Sequence, residues 1–147
     1  IFDYWSVDTM CRADEGNLTA YEKSLADIYA KLMNFARTDK TVTGLSYDLM
    51  YANPHSPSFD PDRQYAFLRR SGRQLLVVVV NFDNLDRDIL LNIPEHAFEY
   101  LKLSDGKDDM GEEILTGESF AACLSSKQPL SIHVPKYGAA IIKINKA

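Results

Sequence analysis

Six consecutive apolar residues, at positions 75–80, constrain the fold of this chain more than any other feature. Four of the six are valine, and β-branched side chains crowd a helix but fit the pleated surface of a strand. A strand with one solvated face would alternate apolar and polar residues, and this run does not alternate. The run therefore predicts a strand buried on both faces, with one face against an opposing sheet and the other against a further element, inside or outside this chain.

The residues before this run predict its partner strand. Residues 65–70 are strand-like, and they end at Ser71-Gly72, a pair typical of tight turns because glycine accepts positive φ. Together the two segments predict an antiparallel hairpin at the middle of a sheet.

Short strands are predicted along most of the chain after Lys40. They lie at residues 42–51, 87–93, 98–103, 113–116, 130–134 and 139–144. Residues 53–63 carry three prolines and predict a loop, and residues 104–112 predict an acidic loop. Seven or so short strands at this spacing are typical of a sandwich or barrel. We expect a mainly β fold, an antiparallel Greek-key β-sandwich, preceded by one amphipathic α-helix.

The helix is predicted over residues 19–37. Thr19 is a suitable N-cap, and Glu22 three residues later completes a capping box. Apolar residues then recur at helical spacing, at Tyr21, Leu25, Ile28, Tyr29, Leu32 and Ala36. Because the hydrophobic period changes near Lys40, we expect a boundary there between the helix and the β domain.

Composition argues against nucleic acid and membrane as partners. The chain has 147 residues and a formal charge of −5, and phosphate binding needs a concentrated basic face. Its only tight basic group, Arg69, Arg70 and Arg73, flanks the predicted turn, where solvated arginines are common. No apolar run approaches the roughly 20 residues that span a bilayer.

Motifs for cofactors and metals are not found in the sequence. The acidic segment 105–113 does not fit a calcium loop, because with Gly111 as the sixth position only Asp108 would be a ligand among the first, third and fifth. The three histidines, His55, His96 and His133, are scattered, so no zinc spacing exists. We therefore expect no cofactor and no metal.

Catalytic residues are not expected either. Only His96 has an adjacent acid, Glu95, and sequence neighbours rarely point at each other, while His133 lies on the polar face of a predicted strand and should be solvated. Cys11 and Cys123 fit two buried free thiols, although a bridge between them stays open. Tyr4 and Trp5 could stack on a sugar ring, but packing in a core is favoured for them.

Several segments in order carry a resemblance to a known family. IFDYWS, the capped helix, GLSYDLMYAN, FDPDRQYAFLRR and LLVVVVNF resemble the C-terminal end of the α-amylase family of glycoside hydrolases. The resemblance implies that residues 1–40 are a remnant of the catalytic barrel (the loop after its eighth strand and its last helix). It implies that residues 41–147 are the C-terminal β-sandwich domain. The family's catalytic acids would then lie upstream, on barrel strands; the triplet Arg12-Ala13-Asp14 echoes the nucleophile motif but stands in a polar, non-strand stretch and is rejected.

The function that follows is that of a non-catalytic accessory domain of an α-amylase-like enzyme acting on α-glucans, with structural support of the barrel as its role and the barrel as its partner. The alternative is a carbohydrate-binding module that holds α-glucan through surface aromatics, with Tyr47, Tyr51, Phe59 and Tyr65 as candidates. A complete small hydrolase is disfavoured, because no catalytic constellation is visible. The chain begins at Ile1 rather than methionine, so we expect a processed chain or a fragment.

Overall fold

A computed structural model describes residues 18–145, except for the side chain of Lys107. The chain divides after Thr38 into two units. In the first unit the described structure is one helix, α1 (Ala20–Thr38). Thr19 and Glu22 form the predicted capping box: Glu22 N donates to Thr19 Oγ1 at 3.2 Å, and Thr19 N donates to Glu22 Oε2 at 2.7 Å. Within residues 18–145, no helix is long and apolar enough to cross a membrane.

The second unit contains two antiparallel sheets and one short helix. Its elements are β1 (Leu45–Asp48), β2 (Gln64–Ser71), β3 (Gln74–Asn81), β4 (Arg87–Leu91), α2 (Glu95–Leu101), β5 (Lys107–Glu113), β6 (Ser119–Leu124), β7 (Leu130–Val134) and β8 (Gly138–Asn145). The larger sheet has the order β1-β2-β3-β8-β5-β6, and β4 pairs with β7 in the smaller one. The expected fold class, mainly β with a helix before it, is confirmed.

The central hairpin is as predicted. Ser71 pairs with Gln74, so the loop between β2 and β3 has two residues, and Gly72 has φ 58°. Strand β3 lies between β2 and β8, and its residues Leu75 to Val79 are all buried. The continuous apolar run therefore does mark the centre of the sheet.

The hydrophobic core lies between the two sheets and under α2. Leu75, Val77 and Val79 face it from β3, and alternate residues of β2, β6 and β8 meet them. The smaller sheet and α2 contribute Ile89, Leu91, Leu130, Ile132, Val134, Ala97, Phe98 and Leu101.

The other face of β3 is covered in part by the segment that enters the domain. A 3-10 turn, Lys40–Thr43, lies against β2 and β3, with Thr41 fully buried. Arg69 Nη1 donates to Val42 O at 2.5 Å, and Lys143 forms an ion pair with Asp39. These contacts reach the row formed by Arg69, Leu76 and Lys143 across three strands.

Residues 98–103 were predicted as a strand, and this prediction was wrong because they belong largely to α2. Ala97, Phe98 and Leu101 are the buried residues of the helix, and their spacing is helical rather than alternating. Arg70, expected to be solvated, donates to the carbonyls of Leu101 and Lys102, which are exposed at the end of this helix.

The acidic segment also differs from its prediction. Residues 104–112 were predicted as a loop, but β5 occupies Lys107–Glu113, where it pairs with β6 along its length and with β8 near its end. Of residues 113–116, predicted as a strand, only Glu113 is in a strand, as the last residue of β5. Residues 114–116 form a turn, and β6 was not predicted. β5 carries few apolar residues, so its sequence lacks the pattern by which half-buried strands are recognised.

The predicted strand 42–51 is shortened to β1. The turn Lys40–Thr43 precedes it and a second 3-10 turn, Met50–Ala52, follows it. Between the first turn and β1 the chain passes so close to β2 that a Cβ at Gly44 would lie 2.1 Å from Arg70 O. Only glycine fits there.

Candidate functional site

Four aromatic side chains meet at one corner of the domain, and we call them the aromatic cluster: Tyr47, Tyr51, His96 and Tyr100. Tyr47 is the inward-facing residue of β1, and Tyr51 lies on the turn Met50–Ala52. His96 and Tyr100 are four residues apart on α2, which places them on one side of that helix. Three separate elements therefore supply the cluster.

Tyr47 is at the centre of the aromatic cluster. Its hydroxyl lies 2.5 Å from that of Tyr51 and 2.8 Å from His96 Nδ1. The centroid of its ring is 5.7 Å from those of both His96 and Tyr100, with tilted rather than stacked planes. Burial raises the pKa of Tyr47, and the hydrogen bond with Tyr51 raises it further, so the phenol keeps its proton and can donate.

The members of the cluster differ in exposure. Tyr47 is 8% exposed, whereas Tyr51 is 66% and Tyr100 48% exposed, and His96 is also exposed. Tyr47 therefore supports the surface, and the other three rings form it.

A buried amide links the two segments that carry the exposed rings. Asn53 is 1% exposed, and its Nδ2 donates to Leu49 O at 2.8 Å and to Asn92 O at 3.0 Å. Its Oδ1 accepts from Asn92 N at 2.7 Å. Since Leu49 precedes Tyr51 and Asn92 precedes α2, this side chain holds the two parts of the cluster in one arrangement.

The structure places the four aromatic residues proposed from the sequence as glucan-binding candidates in three different environments. Tyr47 and Tyr51 are brought together, but Phe59 is 2% exposed and belongs to the core. Tyr65 is 43% exposed and lies on the opposite face of the large sheet from Tyr47, next to Phe67 with ring centroids 5.9 Å apart. Tyr4 and Trp5 lie outside the described residues.

The sequence did not point to His96 and Tyr100 as binding residues, because residues 98–103 were predicted as a strand. Their spacing of four, together with apolar Ala97, Phe98 and Leu101, is a helical pattern that was present in the sequence. Their contact with Tyr47, 49 residues away from His96, was not readable from it.

A second network surrounds Asp83 at the end of β3. Arg63 Nη1 donates to Asp83 Oδ1 at 3.2 Å, and Arg87 Nε donates to Asp83 Oδ2 at 2.9 Å. The hydrogen bond from Arg87 lowers the pKa of Asp83. Asn81 beside it is fully buried, accepts from Gln64 Nε2 at 3.0 Å and donates to three backbone carbonyls, those of Leu85, Val134 and Pro135. The network joins the two sheets and is structural.

The remaining histidines form exposed pairs with acids. His133 was expected to be solvated, but its Nδ1 lies 2.7 Å from Asp88 Oδ1 on the neighbouring strand. His55, Asp60 and Asp62 have possible metal-ligand atoms within 4.8 Å of one another. His55 is 67% exposed, and its ring nitrogens lie 3.3 Å from Asp60 Oδ1 and 3.6 Å from Asp62 Oδ2, so direct contacts of His55 with the two acids account for the arrangement.

Cys123 is free and exposed, which corrects the expectation that it is buried. It lies on β6, where its neighbours Ala122 and Leu124 face the core. Cys11 lies outside the described residues.

Comparison with known proteins identifies the domain. A family model for the alpha amylase C-terminal all-beta domain matches residues 58–145. No curated protein matches the chain.

Solved structures show the same fold at low sequence identity. AmyP, crystallised in complex with maltose, has a TM-score of 0.60 at 13% identity and covers 89% of this chain. An alpha-amylase from Anoxybacillus has 0.57 at 17% identity over 85%, and the maltogenic alpha-amylase AmyB from Thermotoga neapolitana has 0.56 at 14% over 80%. The matched part is 23–24% of each of these proteins, so the chain spans about a quarter of their length.

The family match covers more than half of the chain, including β2 to β8. The chain therefore belongs to the family of alpha-amylase C-terminal all-beta domains.

Proposed function

We propose that this chain is the C-terminal part of an α-amylase-type glycoside hydrolase acting on α-glucans, and that its role is to stabilise the catalytic barrel without taking part in the chemistry. In this proposal residues 1–40 complete the barrel, residues 41–147 are the accessory domain, and the catalytic residues lie upstream of Ile1.

The observation that carries the proposal is the apolar outer face of the large sheet. On β2, β3 and β8 the residues that point away from the core are apolar in two adjacent rows. One row is Phe67, Val78 and Ile141, and the other is Tyr65, Val80 and Ala139. A sheet face exposed to water would carry polar residues there. Val78 and Ile141 are already buried, whereas Tyr65 is 43% exposed, so the row of Tyr65 is the part of this face that is left for another apolar surface.

The catalytic barrel is the occupant that we assign to this face. The family is that of domains in α-amylases, and AmyP and the alpha-amylase from Anoxybacillus, which share this fold, are each about four times longer than the chain.

One experiment tests the catalytic part of the proposal. The purified 147-residue chain is incubated with starch, maltodextrins and pullulan, and the release of reducing sugar is measured. We expect none above a buffer control. Release that is abolished by substituting a carboxylate of this chain would contradict the proposal.

A second experiment tests the structural part. In the full-length enzyme, Tyr65→Lys should shorten the half-life of the barrel's activity on heating, because it places a charge in an apolar contact. In the 147-residue chain the same change should alter stability by less than about 0.5 kcal/mol.

Leu90→Lys is the matched control, since Leu90 is 44% exposed on the other sheet. Equal effects of the two substitutions in the full-length enzyme would show that the outer face makes no special contact. The proposal would then lose its support.

A further inference from the structure

We propose that the exposed part of the aromatic cluster, Tyr51, His96 and Tyr100, binds a pyranose ring of an α-glucan. The choice of ligand rests on the proposed function above, while the site itself rests on the geometry of the cluster. It would give the accessory domain a binding surface of its own.

The first argument is the grouping of exposed rings. Single exposed aromatics are common, but here three exposed rings surround one buried tyrosine. The centroids of Tyr47 and Tyr51 are 6.3 Å apart, and those of His96 and Tyr100 are 6.4 Å apart. Core packing does not explain Tyr51 and Tyr100, because about half or more of each side chain is in contact with water.

The second argument is the polar edge of the cluster. The Tyr47 hydroxyl bonds both the Tyr51 hydroxyl and His96 Nδ1, so these groups have fixed positions. In the described part of the chain, the Tyr100 hydroxyl and His96 Nε2 have no hydrogen-bond partner, which leaves them for ligand hydroxyls. Flat apolar rings with polar edges match a sugar ring, which has C–H faces and a rim of hydroxyls.

The third argument is the kind of polar group in the cluster. Its four side chains end in hydroxyls and an imidazole, and none of them is an arginine, a lysine or a carboxylate. A phosphorylated or acidic ligand would be expected to require arginine or lysine. A neutral saccharide does not.

The fourth argument is preorganisation. Asn53 bonds the backbone of both segments, and Arg70 bonds the last carbonyls of α2. A surface that is already ordered loses less entropy when a ligand binds.

The test is isothermal titration of the 147-residue chain with maltoheptaose. We expect saturable binding, which Tyr51→Ala and Tyr100→Ala should each weaken about tenfold or more. Tyr21→Ala is the control, since Tyr21 is 73% exposed on α1, and it should bind as the unmodified chain does. Cellohexaose, a β-linked glucan, should bind more weakly than maltoheptaose.

A second measurement uses only the unmodified chain, so its result does not depend on whether a variant folds correctly. In the unmodified chain with labelled tyrosine, the ring signals of Tyr51 and Tyr100 should shift on titration with maltoheptaose, and that of Tyr21 should not. The absence of saturable binding, or binding that both alanine variants retain, would overturn the site. Equal binding of cellohexaose would overturn the assignment to α-glucan. None of these results would affect the tests of the accessory role, which measure hydrolysis and heat inactivation.

Discussion

Two buried asparagines hold the loops of this domain through hydrogen bonds to the backbone. Asn53 bonds backbone groups of Leu49 and Asn92, and Asn81 bonds Leu85, Val134 and Pro135. An amide suits this task because it carries two donors and an acceptor that a buried loop would otherwise lack. Asn81, which directly follows the valine run, therefore has a structural role at the junction of the two sheets.

Asn53→Ala should destabilise the domain by about 1–3 kcal/mol, because it leaves buried backbone groups without partners. Urea unfolding followed by tryptophan or far-UV signals would measure the loss. Asn92→Ala is the control: the Asn92 side chain is exposed, and its backbone bonds to Asn53 would remain. A loss as large for Asn92→Ala would show that the Asn53 amide is not the cause.

The stability contribution of Asp83 should depend on pH. The hydrogen bond from Arg87 holds the pKa of Asp83 below its ordinary 3.8. The contribution is therefore fully present above that value and is lost as the pH falls through the lower pKa of the folded state. Thermal melts of the chain and of Asp83→Asn, from about pH 6 to about pH 2, should show a difference that narrows below about pH 4. A difference that stays constant would exclude ionisation of Asp83 as its source.

At the scale of elements, β3 and β4 show the two kinds of strand in this domain. Leu75 to Val79 are buried without interruption in β3, which lies between two strands: Leu75, Val77 and Val79 face the core, and Leu76 and Val78 are buried on the outer face. In β4, by contrast, Ile89 and Leu91 are buried while Leu90 is 44% exposed. An uninterrupted apolar sequence therefore marks the central strand β3, and an alternating one marks β4, which has one exposed face.

Val77→Asp and Val78→Asp should both destabilise the domain by several kcal/mol, which is comparable to the whole stability of a small domain. Val77 is 0% exposed toward the core and Val78 is 7% exposed on the outer face. Leu90→Asp should have a much smaller effect. Thermal melts compare the three, and a mild effect of Val78→Asp would show that the outer face tolerates water.

At the scale of the whole molecule, the β domain has its own core, and the chain leading into it covers part of its outer face. All residues of the core cluster lie after Thr43, whereas Asp39, Thr41 and Val42 contact the outer side of the sheet. The boundary near Lys40 expected from the sequence stays a prediction.

Two truncations should separate these contributions. A chain of residues 39–147 keeps the ion pair of Asp39 with Lys143 and the buried Thr41, so it should unfold cooperatively. A chain of residues 44–147 exposes Leu76 and should melt at a lower temperature and aggregate more readily. Melting curves and light scattering would compare them. Identical behaviour would show that residues 39–43 contribute nothing.

Sequence alone determined the features that depend on local patterns. The capping box of α1, the tight turn at Gly72, the buried run in β3 and the strands β4 and β7 were all predicted, because each is set by residues close together in the chain. The mainly β fold follows from them.

Only the tertiary structure decided the rest, since it depends on residues far apart. β5 is polar and is a strand because β6 and β8 supply its hydrogen bonds. Residues 98–101 are helical because α2 packs Phe98 and Leu101 into the core. The aromatic cluster forms because folding brings α2 against β1, which no local pattern near Tyr47 or His96 records.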